Sequence, residues 1–294
     1  MKYIISIFLF LTSQISYSQY KPFIIIDQQT NKPIPFCAVD FLNNDGTFSD
    51  ESGFFLADIE QIKKIKVTHL SYETFETKIF NLPDTIKLNS KPIVLKEIVI
   101  NKNSYSKNLR VGYYKSKSVL SVVFLPKTEF IVFIKSSKSF INPIIESLEI
   151  PLKISKPSIS SSVKEIIYGV LQLNIYDNHK NKIYSQIIKV TVEENIKNIK
   201  PIKLEEDICF PTEGLFFGIE MIGYVDNQNS FITTKKHEMI AIKFIESKEA
   251  NQTFYKNIFY SNGDWNLLEK NLNVFHINSK NNFNLGLVLN LLSN

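Results

Sequence analysis

The chain has 294 residues, of which 44% are hydrophobic and 21% charged, with a formal net charge of +5. These proportions supply enough apolar side chain for one large or two ordinary packed domains and exclude wholesale disorder. The positive charge is scattered, its densest stretch being Lys102, Lys107, Arg110, Lys115 and Lys117, so nucleic acid is not an expected partner.

In chain order the first element reads as a secretory signal peptide over residues 1–18. Lys2 supplies the positive start, residues 4–11 the apolar run, and Ser16, Tyr17 and Ser18 the small-x-small cleavage site. The run is too short to span a bilayer, and no cysteine near the cleavage site offers a lipid anchor. No later stretch approaches the roughly 18 uninterrupted apolar residues of a membrane helix. The expected mature chain is therefore exported (periplasmic, outer-membrane-associated or extracellular), with no transmembrane segment.

Residues 19–100 read as a set of short strands. The apolar run 23–26 ends in a polar turn, and Pro33 and Pro35 bar helix before a half-buried strand over 36–42. Asn43, Asn44, Asp45 and Gly46 mark a turn, because these residues tolerate positive φ. A short strand over 47–49 leads into Asp50-Glu51-Ser52-Gly53, which fits a type I turn, and a strand over 54–57 leads out. One turn of helix fits 58–64. Strands are then expected over 65–70, 75–80, 85–88 and 94–100, which is the spacing of a β-sandwich.

The residues that carry a family likeness are Asp27, Thr30, Lys32-Pro33-Ile34-Pro35, Cys37, Val39, Gly46-Thr47, Asp50, Gly53, Phe55, Val67-Thr68-His69, Tyr72, Ile86, Leu88 and the exit Leu95-Lys96-Glu97-Ile98-Val99-Ile100. In order and spacing they resemble the carboxypeptidase regulatory-like domain, a transthyretin-like seven-stranded β-sandwich common at the front of exported Bacteroidetes-type proteins. The likeness covers about a third of the chain. It departs from the family at Ser71, where glycine is usual, and at Ala57, where a larger apolar residue is usual. It implies a non-catalytic module, because this sandwich carries none of the peptidase's zinc ligands.

Residues 101–118 are polar and read as a linker. From 119 to 294 strands are expected over 119–124, 129–134, 148–154, 166–176, 183–192, 200–204, 215–224, 239–245, 254–260, 272–277 and 283–291. The last alternates at Phe283, Leu285, Leu287, Leu289 and Leu291, a period of two. The predicted fold class is all-β throughout, with a second, larger β-sandwich for which a jelly roll is one arrangement. The segment 210–220 also resembles a recurrent element of C-terminal domains that accompany the regulatory-like module.

Candidate chemistry is sparse. The histidines His69, His179, His237 and His276 form no H-E-x-x-H pattern, G-x-S-x-G is absent, and nine glycines include no phosphate-binding loop. Asp45, Asp50 and Glu51 have turn-forming spacing in place of a calcium loop's. Cys37 and Cys209, the only cysteines, are expected as two unpaired buried thiols, Cys37 lying on the inward side of its strand with Val39 and Phe41. No catalytic residue, metal or cofactor is expected. The candidate contact residues are Phe54 and Leu56, which the register implied by the family likeness turns outward by placing Phe55 and Ala57 inward, and Trp265, the only tryptophan, in a turn where it either caps the core beside Tyr260 or offers a ring to a sugar.

These features predict a non-catalytic binding or structural protein of the cell envelope or surface, its partner a protein or a glycan. Two alternatives stand beside it. One is an accessory of outer-membrane TonB-dependent uptake, since the exit segment also resembles that of receptor extensions, although the chain ends too soon for a large barrel. The other is a hydrolase whose site is assembled from distant residues in 119–294, for which a concave pocket holding at least two ionisable groups within hydrogen-bond reach would be the sign.

Overall fold

The computed structural model describes residues 20–91, 107–114, 119–135, 143–150, 152–154, 167–192, 201–232, 240–248, 252–260, 264–268 and 282–293. The expected signal peptide and the strands expected over 94–100 and 272–277 lie outside the described residues. The described chain is all-β, and it divides into two compact units between Ser90 and Lys91.

The first unit runs β1 (Tyr20–Asp27), β2 (Ala38–Asp40), β3 (Gly46–Phe48), β4 (Phe54–Asp58), β5 (Lys64–Thr68), β6 (Phe75–Lys78) and β7 (Thr85–Leu88). They form a three-stranded sheet in the order β4-β1-β7 and a four-stranded sheet in the order β3-β2-β5-β6. Alternate residues from both sheets share one core: Phe23, Ile25, Phe55, Ala57, Ile86 and Leu88 from the first, and Val39, Ile65 and Val67 from the second. The sheets are also joined by a polar contact. Tyr72 donates its hydroxyl to Asp27 at 2.9 Å, and the same carboxylate accepts the amides of Gln29 and Thr30. The Thr30 amide, above all, holds the Asp27 carboxyl below its ordinary range, while burial and the bond to Asp27 push the Tyr72 hydroxyl up to about 12.

Two expectations need correction. The strand expected over 36–42 keeps only Ala38–Asp40, because Phe36 and Leu42 sit at φ 55° and 54°, which breaks the ladder at both ends. The segment 58–64 holds a turn and no helix; the Glu60 amide bonds the Asp58 carboxylate at 3.1 Å, and Ile62 drops into the core.

One turn device recurs in both units. An aspartate accepts amides two and four residues ahead while the third residue takes a left-handed conformation. Asp50 accepts Ser52 and Phe54 around Gly53, Asp177 accepts His179 and Asn181 around Lys180, and Asp226 accepts Gln228 and Ser230 around Asn229. Gly53 is the tightest case: at φ 73°, a Cβ there would meet the Ile25 carbonyl oxygen at 2.5 Å.

The second unit begins with β8 (Lys107–Tyr113), β9 (Val119–Val123), β10 (Thr128–Ile134), β11 (Ile144–Glu149) and β12 (Leu152–Ile154). It continues with β13 (Tyr168–Tyr176), β14 (Lys182–Thr191), β15 (Ile202–Cys209), β16 (Leu215–Val225), β17 (Phe231–Ile232) and β18 (Ile240–Ser247). β19 (Thr253–Asn257), β20 (Asn266–Leu267), β21 (Asn282–Leu285) and β22 (Leu287–Ser293) complete it. A seven-stranded sheet has the order β14-β13-β16-β10-β19-β20 with β17 beside β16. Two four-stranded sheets, β15-β11-β22-β8 and β12-β18-β21 with β9 beside β18, share one apolar core with it.

The expected linker is corrected here. Residues 107–113 form β8, which pairs antiparallel along β22, and Leu109, Val111 and Tyr113 pack on the core. Its apolar residues alternate with Asn108, Arg110 and Gly112 on the other face, so composition alone hides the strand. The single strands expected over 148–154 and 283–291 each split between two sheets. The second does so at Gly286, whose amide bonds the Lys243 carbonyl, although the odd-numbered apolar residues from Phe283 to Leu291 all stay in the core.

We expect Gly53→Ala and Gly53→Asn to destabilise the first unit alike, by about 1–3 kcal/mol, since the steric conflict persists even for a residue that tolerates positive φ. Hydrogen exchange in the full chain checks this: amides of β1 and β4 should exchange faster, and those of β16 should not change.

Candidate functional site

Because Phe55 and Ala57 fill the first core, Phe54 and Leu56 point to the opposite face of β4, where they are 40% and 52% exposed. The antiparallel register sets Ile24 opposite Phe54, Pro22 opposite Leu56 and Tyr20 opposite Asp58. The outer face of β1 thus adds Tyr20 and Pro22, both exposed, and Ile24 and Ile26, both half-buried. Thr85 and Lys87 on β7 give the face a polar margin, and β4 is an edge strand among the described residues. The register of the family likeness places Phe54 and Leu56 outward in the sequence. The β1 contribution is hidden there because 23–26 is uniformly apolar, and only pairing shows which residues face out.

Trp265 lies in the second unit, on the face of the seven-stranded sheet that points away from the main core. Its ring packs edge-on against Tyr176 at 5.7 Å, and the Lys256 ammonium lies 4.1 Å from its centre. It sits with a small apolar group of Ile131, Tyr176 and Phe216, half-buried, whereas Tyr260 is exposed. Trp265 thus packs edge-on against Tyr176 with part of its ring exposed.

Beneath it the ladder sets a row of polar residues across four strands. Lys256 on β19 is opposite Glu129 on β10, Glu129 is opposite Glu220 on β16, and Glu220 is opposite Gln172 on β13. Glu129 is 1% exposed and Glu220 4%. The buried Asn174 amide nitrogen donates to both carboxylates, at 2.7 Å to Glu129 and 3.1 Å to Glu220. The Tyr176 hydroxyl donates to Glu129 as well, and Ser185 donates to the Asn174 carbonyl at 3.0 Å. Lys256 approaches Glu129 Oε2 to 3.5 Å and Lys182 approaches Glu220 Oε2 to 3.8 Å. Gly218 makes room for the group: a Cβ there would lie 2.8 Å from Ile131, 3.0 Å from Glu129 Oε1 and 3.3 Å from the Tyr176 ring.

Burial drives the electrostatics. It pushes the Glu220 carboxyl above its ordinary range, against the opposing pull of Lys182 and with the help of Glu129. Burial, and then the neighbouring glutamates, hold the Tyr176 hydroxyl protonated well above the ordinary tyrosine range. Alongside, Lys180 stands 3.7 Å over the Phe254 ring and 5.4 Å over Phe216, and burial lowers its pKa. Sequence reasoning missed this cluster. Glu129 and Glu220 stand 91 positions apart among apolar neighbours, and nothing local in the sequence announces that they share a face.

The other flagged residues have local roles. Asp50 accepts turn amides, as expected, and Asp45 accepts the amide of Gly46 at 2.8 Å. His69 accepts the Ser71 amide and packs against Tyr72, and the His179 amide closes the β13–β14 turn. His237 and His276 lie outside the described residues. Among the described residues, no group of three or more His, Cys, Asp or Glu is placed to hold a metal ion. Both cysteines are free, as expected, but only Cys37 is buried; Cys209 at the end of β15 is half-buried, a correction. It adjoins a bulge where β15 jumps from Ile208 to Lys203 as β11 passes from Ile145 to Ser147, leaving a hollow of about 320 Å³ rimmed by Glu146, Glu206 and Asp207.

Taken together, these features define an all-β protein of two sandwich-like units, with an apolar outer sheet face in the first and a buried polar row in the second. No family model, curated protein or solved structure matches the chain.

Burial pushes the Cys37 thiol up to about 12, and its environment is closed by the Ser49 hydroxyl, which accepts the Cys37 amide at 2.9 Å. Iodoacetamide on the native chain should therefore label Cys209 and leave Cys37 untouched until denaturant is added, as read by peptide mass spectrometry.

Proposed function

We propose that this chain is an exported, non-catalytic binding protein of the cell envelope whose contact surface is the outer face of the β4-β1-β7 sheet. The observation that carries the reading is the gathering of Tyr20, Pro22, Phe54 and Leu56, all exposed, onto one sheet face with Ile24 and Ile26. Single exposed apolar residues need no explanation, but a contiguous apolar sheet face beside an edge strand costs solubility unless something covers it. The signal-like start and the resemblance of residues 19–100 to the carboxypeptidase regulatory-like domain support export and a binding role. A protein partner fits this face better than a glycan, since it is apolar and its flagged aromatic Phe54 is flanked by aliphatic side chains.

A photo-crosslinking side chain placed at position 56 in the native host should give a discrete adduct in the envelope fraction. The same group at position 76, on exposed β6, should not. Phe54→Glu with Leu56→Glu should abolish a partner's co-purification with thermal stability unchanged, because both side chains leave the core untouched. Adducts that do not differ between the two positions, or a chain retained in the cytoplasm, would overturn the proposal.

A further inference from the structure

Two carboxylates directly opposite each other on adjacent strands repel, and here both are removed from water. Their surroundings are not equal. Glu129 Oε1 accepts from both Asn174 and Tyr176, whereas Glu220 has the longer bond from the same Asn174 nitrogen. Glu129 Oε2 is buried and accepts no hydrogen bond, Lys256 being 3.5 Å away in an ion pair. Facing the pair are Lys256 from β19, Lys182 from β14 and Tyr176 from β13, and these with the two glutamates are the ionisable groups at the site among the described residues. Neither lysine is close enough to replace a direct hydrogen bond, and both side chains reach solvent, at 22% and 30% exposure, so part of their attraction is screened.

We propose that Glu129 and Glu220 hold one proton between them, resident on Glu220, and that this proton is a latch fastening β10 to β16 at the centre of the second unit. Glu129 has the closer donors, from Asn174 and Tyr176. A proton on Glu220 halves the negative charge buried where the two side chains face each other across β10 and β16. The five strands β10, β13, β14, β16 and β19 each contribute a side chain to this group, so the state of one proton is felt across the sheet.

The sign of the pH dependence follows. A carboxyl held above its ordinary value of 4.5 in the folded state binds its proton more tightly there than in the unfolded chain. Its contribution to stability is complete below that ordinary value and is lost as pH rises through the raised one. An exported chain meets the pH of its surroundings, so this loosening is open to the medium.

The test is a carboxyl-carbon NMR titration of the full chain, with thermal unfolding followed over the same pH range. One glutamate signal should titrate above 4.5 and disappear in Glu220→Gln, whose neutral amide imitates the protonated form. In that variant the second unit's melting temperature should lose its fall with rising pH and match or exceed the wild type at neutral pH. Lys182→Met, a change at a partly exposed side chain, should move the same signal to still higher pH, because Lys182 opposes the rise. All glutamates titrating in the ordinary range, or an unchanged pH slope in Glu220→Gln, would overturn the latch. If Glu220→Gln fails to fold, an unshifted signal in Lys182→Met would overturn it equally.

Discussion

Strand β16 is buried at all eleven of its positions, and one of those positions is a glutamate. An isolated carboxylate cannot be taken out of water without a cost of several kcal/mol, so the strand can occupy the centre of the sheet only if its neighbours answer Glu220. Asn174 does so from one side, Glu129 lies opposite on the other, and Lys182 reaches in from β14. Gly218, two residues earlier on the same face, keeps the space that lets the Glu129 carboxylate and the Tyr176 ring approach. The wider sheet is arranged around that requirement: Lys256 is placed opposite Glu129 by register and braced by the Trp265 ring. Trp265 thus touches both Lys256 and Tyr176 at the end of this row.

The first unit meets a milder version of the same demand. Its interior is apolar, and the polar groups that enter it are answered locally. Ser49 is fully buried, yet its hydroxyl accepts the Cys37 amide and donates to the Ile34 carbonyl at 3.2 Å. Asp27 is 9% exposed and bonded to two amides and to Tyr72. With its polar needs met inside, the unit is free to carry an apolar exterior on β1 and β4. The two units therefore place their unusual surfaces differently, apolar side chains outside in one and charges inside in the other.

Much of this was legible in the sequence where local rules govern. Strand period gave most of the segments, and Asp50 and Gly53 announced a turn, in which the Asp50 carboxylate accepts the amides of Ser52 and Phe54 and Gly53 is left-handed. The inward side of Cys37 also follows from a period of two, and the register implied by the family likeness puts Phe55 and Ala57 inward and Phe54 and Leu56 outward, where they lie. Local rules failed where pairing decides. The polar stretch 107–113 becomes β8 because β22 is there to receive it, and 283–291 changes sheets at Gly286 with no break in its alternation.

By itself, then, the sequence determined an all-β chain, its turns, and which side chains of each strand share a face, because steric preference and side-chain alternation act over a few residues. Only the tertiary structure decided which strands lie side by side. That choice set Glu129 against Glu220, aligned Pro22 with Leu56 and Ile24 with Phe54, and gave Trp265 to Lys256. Register between distant strands is fixed by the fit of whole faces to a common core, and no single residue announces it.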